Sequence, residues 1–268
     1  LALGQNQNSF IIDDFSIDSA PIVIQIPSNG ASFPLGGTSQ QQNNGIIGGE
    51  RDIELVVQGG SPNLVMTAGV AGGSYSGSTP NQANGYSVIQ YDGVDTDDGI
   101  IRPSGLGSVN FRSDNTFAIH SLMKTDIATS VEFYAYSGNA NSYCRAVINL
   151  PGDNTFHDYI TEFTAFTNAG TGGCDWNNIG AFEVKVNQGE NVDAIIDLIA
   201  GWAPIPVSAS STRTPSPVPS ASRSNTPSPS DTCVCICPQF TCELFRFDDH
   251  DVAKVGEFVD LAAFFNFW

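Results

Sequence analysis

Apolar residues in the first 200 positions occur in short runs of four to eight, bounded by glycine, asparagine, aspartate and proline. Such runs are typical of β-strands and not of long amphipathic helices. The pattern predicts about eleven strands, whose sequences are PIVIQIP, DIELVVQ, NLVMTAGV, YSVIQYD, LGSVNFRS, TFAIHSL, SVEFYAYS, SYCRAVINL, DYITEFTAF, GAFEVKVN and DAIIDLIA.

The order and spacing of these segments predict an all-β fold. Turn sequences such as SNGA and SGNANS separate them, and no alternation of strand and helix is visible. Many short antiparallel strands favour a jelly-roll-like β-sandwich. The clearest alternation is VEFYAY at 131–136, which predicts one face with Val131 and Phe133 and an opposite, aromatic face with Tyr134 and Tyr136.

Composition divides the chain into a sandwich domain at 1–203, a Ser/Thr/Pro-rich linker at 204–230 and a Cys-rich aromatic tail at 231–268. The linker favours polyproline II and suits dense O-glycosylation, with a plain disordered linker as the alternative. The predicted O-glycan acceptors are Ser208, Ser210, Ser211, Thr212, Thr214, Ser216, Ser220, Ser222, Ser224, Thr226, Ser228 and Ser230.

Charge and cysteine content indicate where the protein is located. With 28 acidic and 10 basic residues the net charge is −18, which repels nucleic acid and anionic membranes and attracts cations. Six cysteines fit an oxidising compartment, and no apolar run is long enough for a membrane span. We therefore expect an extracellular or cell-surface protein whose first residue follows a removed signal peptide, with tagging or trimming as the alternative.

Several short motifs resemble those of exported β-sandwich domains of microbial surface proteins. They are IIDDFS, GIIGGERDIEL at 45–55, YDGVD at 91–95, GLGSVNF at 105–111, and the closing segments FTAFTNAG, DWNNIGAFEVKV and DAIIDLI. The closing segments are also similar to the final strands of galactose-binding-like jelly rolls and carbohydrate-binding modules. The resemblance implies a jelly-roll fold outside the cytoplasm and implies no catalytic residues. The spacer resembles that of hydroxyproline-rich wall glycoproteins of green algae.

Charged residues offer two kinds of site. Arg51, between two acids at the start of a strand, is interpreted as a structural strut, with a ligand clamp as the alternative. The acidic loop YDGVDTDDG suits calcium but departs from the EF-hand pattern, so a solvated acidic turn is the alternative. The predicted calcium ligands are Asp92, Asp95, Asp97 and Asp98, and a second carboxylate set comprises Asp13, Asp14, Asp193 and Asp197.

Aromatic residues offer a glycan-binding surface. Tyr134 and Tyr136, with Tyr75, Tyr86 or Trp176 placed on loops, would stack on sugar rings, while packing within the sheet is the alternative. Enzymatic activity is not expected, because no catalytic motif surrounds the three histidines and no nucleophile elbow or phosphate loop is present in the sequence.

The cysteines form two groups. Cys144 and Cys174, thirty residues apart, are predicted to pair. Cys233, Cys235, Cys237 and Cys242 favour disulfides to another strand, with a metal clip as the alternative. The tail then carries apolar residues predicted to contact a neighbouring subunit: Phe245, Phe247, Phe258, Phe264, Phe265, Phe267 and Trp268. Docking on its own sandwich and folding as a small second domain are the alternatives.

These features predict a structural subunit of an extracellular glycosylated fibril, sheath or wall layer, joined to neighbouring copies through the linker and tail. The alternative is a carbohydrate-binding surface module without self-assembly. The expected partners are copies of the same chain and extracellular glycans, and the expected additions are O-glycans and Ca²⁺.

Overall fold

The computed structural model describes residues 6–96 and 99–204 of the 268-residue chain. These residues form fourteen strands and three short 3-10 helices, at Ile47–Gly49, Ser113–Asn115 and Phe163–Ala165. The strands are β1 (Asn6–Asp13), β2 (Ile22–Gln25), β3 (Leu35–Gln42), β4 (Glu50–Gly60), β5 (Val65–Ala71), β6 (Ser74–Ser78), β7 (Ala83–Tyr91), β8 (Ala118–Thr125), β9 (Thr129–Tyr136), β10 (Tyr143–Leu150), β11 (His157–Glu162), β12 (Thr167–Asn168), β13 (Ala181–Gln188) and β14 (Asp193–Pro204).

The strands form two antiparallel sheets. Sheet A has the order β11-β8-β14-β6-β5-β2, and β1 pairs with β14 beside β6. Sheet B has the order β12-β10-β9-β13-β7-β4-β3. Neighbours such as β7 and β13 are far apart in sequence, as long crossovers between two sheets require. The predicted all-β, jelly-roll-like antiparallel sandwich is therefore confirmed.

Inward-facing apolar residues of both sheets form one core. In β9, Val131, Phe133 and Ala135 are fully buried, as the alternation predicts. Phe182 of β13 lies among other aromatic rings, with its centroid 5.6 Å from that of Phe133. Full burial of such side chains contributes about 1.5 to 3 kcal/mol each, so this core supplies most of the stabilisation that fixes the position of sheet B.

One predicted strand is wrong and four observed strands were not predicted. LGSVNFRS forms a loop with a single bridge from Val109 to Ile179, because Gly107 and Ser108 have positive φ angles of 68° and 74° that interrupt an extended segment. The strands β1, β3, β6 and β12 were missed. Glycine and polar residues dominate β3 (LGGTSQQQ) and β6 (SYSGS), so they show no apolar alternation.

Arg51 is fully buried on the core side of β4 and confirms its interpretation as a structural strut. Its Nη1 donates to Asp13 Oδ2 at 2.7 Å, and its Nη2 donates to the Ile17 carbonyl oxygen at 2.6 Å. The Tyr91 hydroxyl donates to the same Asp13 oxygen at 3.1 Å. This network fixes the chain after β1 against β4 and β7.

Cys144 of β10 forms a disulfide with Cys174, the predicted pairing. Their Cα atoms are 5.4 Å apart, and the bond joins β10 of sheet B to the loop between β12 and β13. Among the residues that the structure describes, no helix has the length and apolarity needed to cross a membrane.

The remaining predictions for the linker and tail lie outside the described residues and stay predictions. They concern the linker predicted at 204–230, of which only Pro204 is described, its O-glycosylation, the four cysteines at 233–242 and the aromatic tail at 231–268. The predicted self-assembly involves the same segments.

Candidate functional site

The outward face of sheet B carries tyrosine and charged side chains. Strand register places Tyr134 of β9 between Arg145 of β10 and Glu183 of β13, and it places Tyr136 opposite Tyr143. Residues directly opposite in an antiparallel pair lie on the same face, so these side chains share one surface. We call this surface the tyrosine face, and its members are Tyr86, Glu132, Tyr134, Tyr136, Tyr143, Arg145, Glu183 and Lys185.

Three tyrosines form an aromatic cluster at one end of the tyrosine face. The ring centroids of Tyr136 and Tyr143 are 5.2 Å apart, and those of Tyr134 and Tyr143 are 6.1 Å apart. Tyr134 and Tyr143 remain partly exposed, whereas Tyr136 is buried. Because the phenol rings combine apolar faces with hydroxyl groups, the two partly exposed tyrosines can contact a ligand that has both apolar and polar surface.

Glu132 holds its neighbours on the tyrosine face in fixed orientations. Its Oε2 accepts hydrogen bonds from the Tyr134 hydroxyl at 2.5 Å and from Arg145 Nε at 2.7 Å, and its Oε1 accepts from Asn187 Nδ2 at 2.9 Å. Burial opposes the charged form, but these hydrogen bonds outweigh it and lower the pKa of Glu132. The carboxylate is therefore ionised at neutral pH and preorganises Tyr134 and Arg145.

Glu183 lies at the centre of sheet B, between Tyr134 and Gln90 in register. Burial raises the pKa of Glu183 to about 7, and the hydrogen bond from Gln90 Nε2, at 3.4 Å, opposes that shift only weakly. A carboxyl group with this pKa is present in both protonation states near neutral pH, so it can donate or accept a hydrogen bond.

The other end of the tyrosine face holds a cation over an aromatic ring. The Lys185 ammonium lies 4.4 Å from the centroid of the Tyr86 ring, within range of a cation–π interaction. Tyr86 was predicted to lie on a loop, but it belongs to β7, and its side chain is partly exposed.

Two aromatic residues predicted as loop platforms are buried, so their predicted exposure is wrong; Trp176 does lie on a loop, between β12 and β13, but Tyr75 does not. Tyr75 is a fully buried residue of β6 whose hydroxyl hydrogen bonds with the Ser87 hydroxyl. Trp176 is 6% exposed and stacks on Phe163 with ring centroids 4.0 Å apart. Neither residue is available for stacking on a sugar, because each is packed in the core.

Sequence reasoning missed Tyr143, Arg145, Glu183 and Lys185 as members of the tyrosine face. The signal was present: in SYCRAVINL, Tyr143 and Arg145 alternate with Cys144 and Ala146, which face the core. Only the pairing of β10 and β13 with β9 shows that these residues adjoin Tyr134.

A loop after β7 packs against the end of the tyrosine face. A Cβ atom at Gly105 would lie 1.4 Å from the Asp92 carbonyl oxygen, so the loop folds tightly on itself. A Cβ atom at Gly99 would lie 3.7 Å from Glu54 Cδ, which places the loop over the outward side of β4. Pro103 accepts a hydrogen bond from the Gly138 amide at 3.0 Å.

The predicted calcium loop lies here. Asp92 Oδ2 accepts from the Arg102 amide at 2.5 Å, and the Arg102 Nε lies 2.7 Å from Asp95 Oδ2. Burial raises the pKa of Asp92 to about 6, with the nearby Asp95 and Glu50 adding to the shift. Asp97 and Asp98 lie outside the described residues, and calcium binding stays a prediction.

The second carboxylate set is not gathered into a site. The expected neighbours β1 and β14 do pair, but Asp13 is bound to Arg51, and Asp14 Oδ1 accepts from the Ser16 amide at 3.0 Å. Within 6–96 and 99–204, the one acidic group of three with ligand atoms within 4.8 Å of one another is Glu50, Asp52 and Asp95.

Comparison with known proteins gives weak structural similarity. No protein-family description matches the sequence, and no curated protein matches it significantly. The chain is similar to a solved family 11 carbohydrate-binding module from Clostridium thermocellum, in complex with a β-1,3-1,4-mixed-linked tetrasaccharide. Identity is 13%, the TM-score is 0.39, and the match covers 76% of this chain and 99% of that module.

Two further solved structures are similar. A family 29 carbohydrate-binding module shares 10% identity with a TM-score of 0.31, over 69% of this chain and 92% of that module. TmCBM61, in complex with β-1,4-galactotriose, shares 7% identity with a TM-score of 0.30, over 50% of this chain and 73% of that module. Similarity at this level supports no statement about a ligand, so the fold class rests on the two observed sheets.

Proposed function

We propose that the sandwich is a carbohydrate-binding module that holds a glycan against the tyrosine face. The observation that carries this proposal is the pair of partly exposed rings, Tyr134 and Tyr143, beside the charged groups of Arg145 and Glu183. Sugar rings have apolar faces that stack on aromatic rings and hydroxyl groups that hydrogen bond with charged side chains. The tyrosine face offers both within one surface.

Charge favours a neutral glycan over an anionic one. On the tyrosine face, Arg145 is already paired with Glu132, and Lys185 lies over an aromatic ring. The chain as a whole carries −18, so a uronic-acid or sulfated polymer would be repelled at long range. A neutral polysaccharide meets no such barrier.

An extracellular or cell-surface location is part of the proposal. The Cys144–Cys174 disulfide requires oxidising conditions to persist. Polysaccharides accessible to a binding module are found in the same setting. Binding without turnover is proposed, since the tyrosine face is explained by ligand recognition alone.

The test is binding of the full chain to an array of neutral and anionic glycans, followed by calorimetry with the best neutral oligosaccharide. We expect Tyr134→Ala to weaken binding by about tenfold or more, because a stacked aromatic contact contributes about 0.5 to 1.5 kcal/mol beyond its buried area. Retention of anionic glycans alone, or of none, would contradict the proposal.

A matched control distinguishes loss of the site from loss of an exposed aromatic residue. Phe156 is 40% exposed and has the Lys124 ammonium 4.8 Å from its ring centroid, much as Arg145 lies over the Tyr134 ring. Phe156 precedes β11 in sheet A. Phe156→Ala should leave glycan affinity unchanged, and an equal loss in both variants would refute assignment of the site to sheet B.

A further inference from the structure

Four carboxylate side chains gather where the ends of β4 and β7 meet the loop after β7. Glu50 and Asp52 are the first and third residues of β4, and Asp92 and Asp95 follow β7. Ligand atoms of Glu50, Asp52 and Asp95 lie within 4.8 Å of one another. The group, which we call the acidic cluster, is separate from the aromatic rings of the tyrosine face.

Within residues 6–96 and 99–204, two buried oxygens of the acidic cluster have no hydrogen-bond donor. Glu50 is 1% exposed, and its Oε2 accepts from the Asp95 amide at 3.0 Å and from Gln42 Nε2 at 3.2 Å, but its Oε1 has no partner among these residues. Asp92 is 2% exposed, and its Oδ1 likewise has no partner. A buried carboxylate oxygen without a donor costs several kcal/mol unless a cation contacts it.

The cations near the acidic cluster do not balance its charge. Arg102 pairs with Asp95, but its side chain is 44% exposed. Arg51 lies between Glu50 and Asp52 in sequence, yet its guanidinium is on the opposite, core side of the sheet with Asp13. Among the residues that the structure describes, one partly exposed guanidinium faces four carboxylates, which leaves an excess of negative charge in a buried position.

We propose that the acidic cluster binds one calcium ion, with Glu50, Asp52 and Asp95 as ligands and Asp92 as a neighbouring carboxylate that adds negative charge. The potential ligand atoms are all oxygens, which are the ligands that Ca²⁺ and Mg²⁺ prefer. Zinc and copper sites are instead rich in nitrogen and sulfur ligands. Ca²⁺ accepts irregular arrangements of six to eight oxygens, whereas Mg²⁺ demands a regular octahedron. An irregular loop that faces the end of one strand therefore fits Ca²⁺ better than Mg²⁺.

The bound ion would fasten the loop after β7 to β4. The Asp95 amide, which donates to Glu50 Oε2, holds that loop to β4, and Gln40 Nε2 of β3 donates to the Asp95 carbonyl oxygen at 3.2 Å. A cation shared by Glu50 and Asp95 adds a link that joins the two segments directly. The site thus differs from the predicted loop-only site, since two of its three ligands come from β4.

The experiment is calorimetric titration of the chelator-treated full chain with calcium chloride, with thermal unfolding in calcium chloride and in EGTA. We expect binding of one ion and a higher unfolding temperature in calcium, since an ion that binds only the folded state stabilises it. Magnesium chloride should give a smaller shift. Absence of both binding and a calcium-dependent shift in the parent protein would overturn the proposal.

Variants then assign the ligands. Glu50→Gln and Asp52→Asn should each raise the calcium Kd by about tenfold or more, because affinity depends on the number of charged ligands. The control is Glu190→Gln, which removes the same charge from an exposed turn and should bind like the parent.

Unfolding in EGTA distinguishes a lost ligand from a damaged fold. There, Glu50→Gln should unfold at the same temperature as the parent or higher, because the substitution removes a buried negative charge that lies beside other carboxylates. A parent-like calcium shift in both cluster variants would refute the assignment, as would an equal loss in Glu190→Gln.

Discussion

Replacing Glu183 with glutamine should stabilise the sandwich at neutral pH and leave its stability unchanged at acidic pH. Burial at the centre of sheet B raises the pKa of Glu183 from 4.5 to about 7. The folded state therefore favours the protonated carboxyl group. Its contribution to stability is fully present below pH 4.5 and is lost as the pH rises through the folded-state value.

The magnitude follows from the size of that shift. Each pKa unit corresponds to about 1.4 kcal/mol, so a rise from 4.5 to about 7 costs at most about 3 kcal/mol when Glu183 is fully ionised. Glu183→Gln removes this cost and keeps the shape of the side chain. The difference in free energy of unfolding, variant minus parent, should be near zero at pH 4 and reach about 2 to 3 kcal/mol at pH 8.

Urea unfolding at several pH values between 4 and 8 measures this difference directly. Glu190→Gln, an exposed substitution of the same type, should show no such pH dependence. Asp92 also titrates in this range, and its charge adds to the pKa shift of Glu183, so the difference should be smaller in an Asp92→Asn background. A difference that stays constant from pH 4 to pH 8 would show that Glu183 is not desolvated and would refute the reasoning.

Two further predictions concern the framework behind the tyrosine face. Arg51→Ala should lower the free energy of unfolding by about 3 to 5 kcal/mol, because it leaves Asp13 buried and unpaired. In urea unfolding, the double variant with Asp13→Ala should recover part of the loss, and a purely additive result would contradict the pairing. Cys144→Ser with Cys174→Ser should lower the free energy of unfolding by about 3 to 4 kcal/mol, as expected for a disulfide that spans thirty residues. The parent and the variant are compared with and without reductant, and a reductant effect of equal size in the variant would exclude the disulfide as its cause.

Local patterns in the sequence were enough to predict the fold class, most strand positions and which side chains of β9 face the core. Period-two alternation is a local property, so VEFYAY alone assigned Phe133 to the core and Tyr134 to the outer surface. Spacing and compartment also predicted the pairing of Cys144 with Cys174. Where the local pattern was weak, as in SYSGS, the strand was missed and its buried Tyr75 was placed on a loop.

Which outward-facing residues lie next to one another depends on strand order and loop packing, and local sequence patterns do not encode these. Strand order in sheet B sets Glu183 beside Tyr134, and packing of the loop after β7 sets Asp92 and Asp95 beside Glu50. These contacts join segments about 45 to 50 residues apart, and a register change of one residue would turn each side chain to the opposite face. Strand register depends on how the whole core packs, and for this reason local patterns identified candidate residues but not the sites that they form.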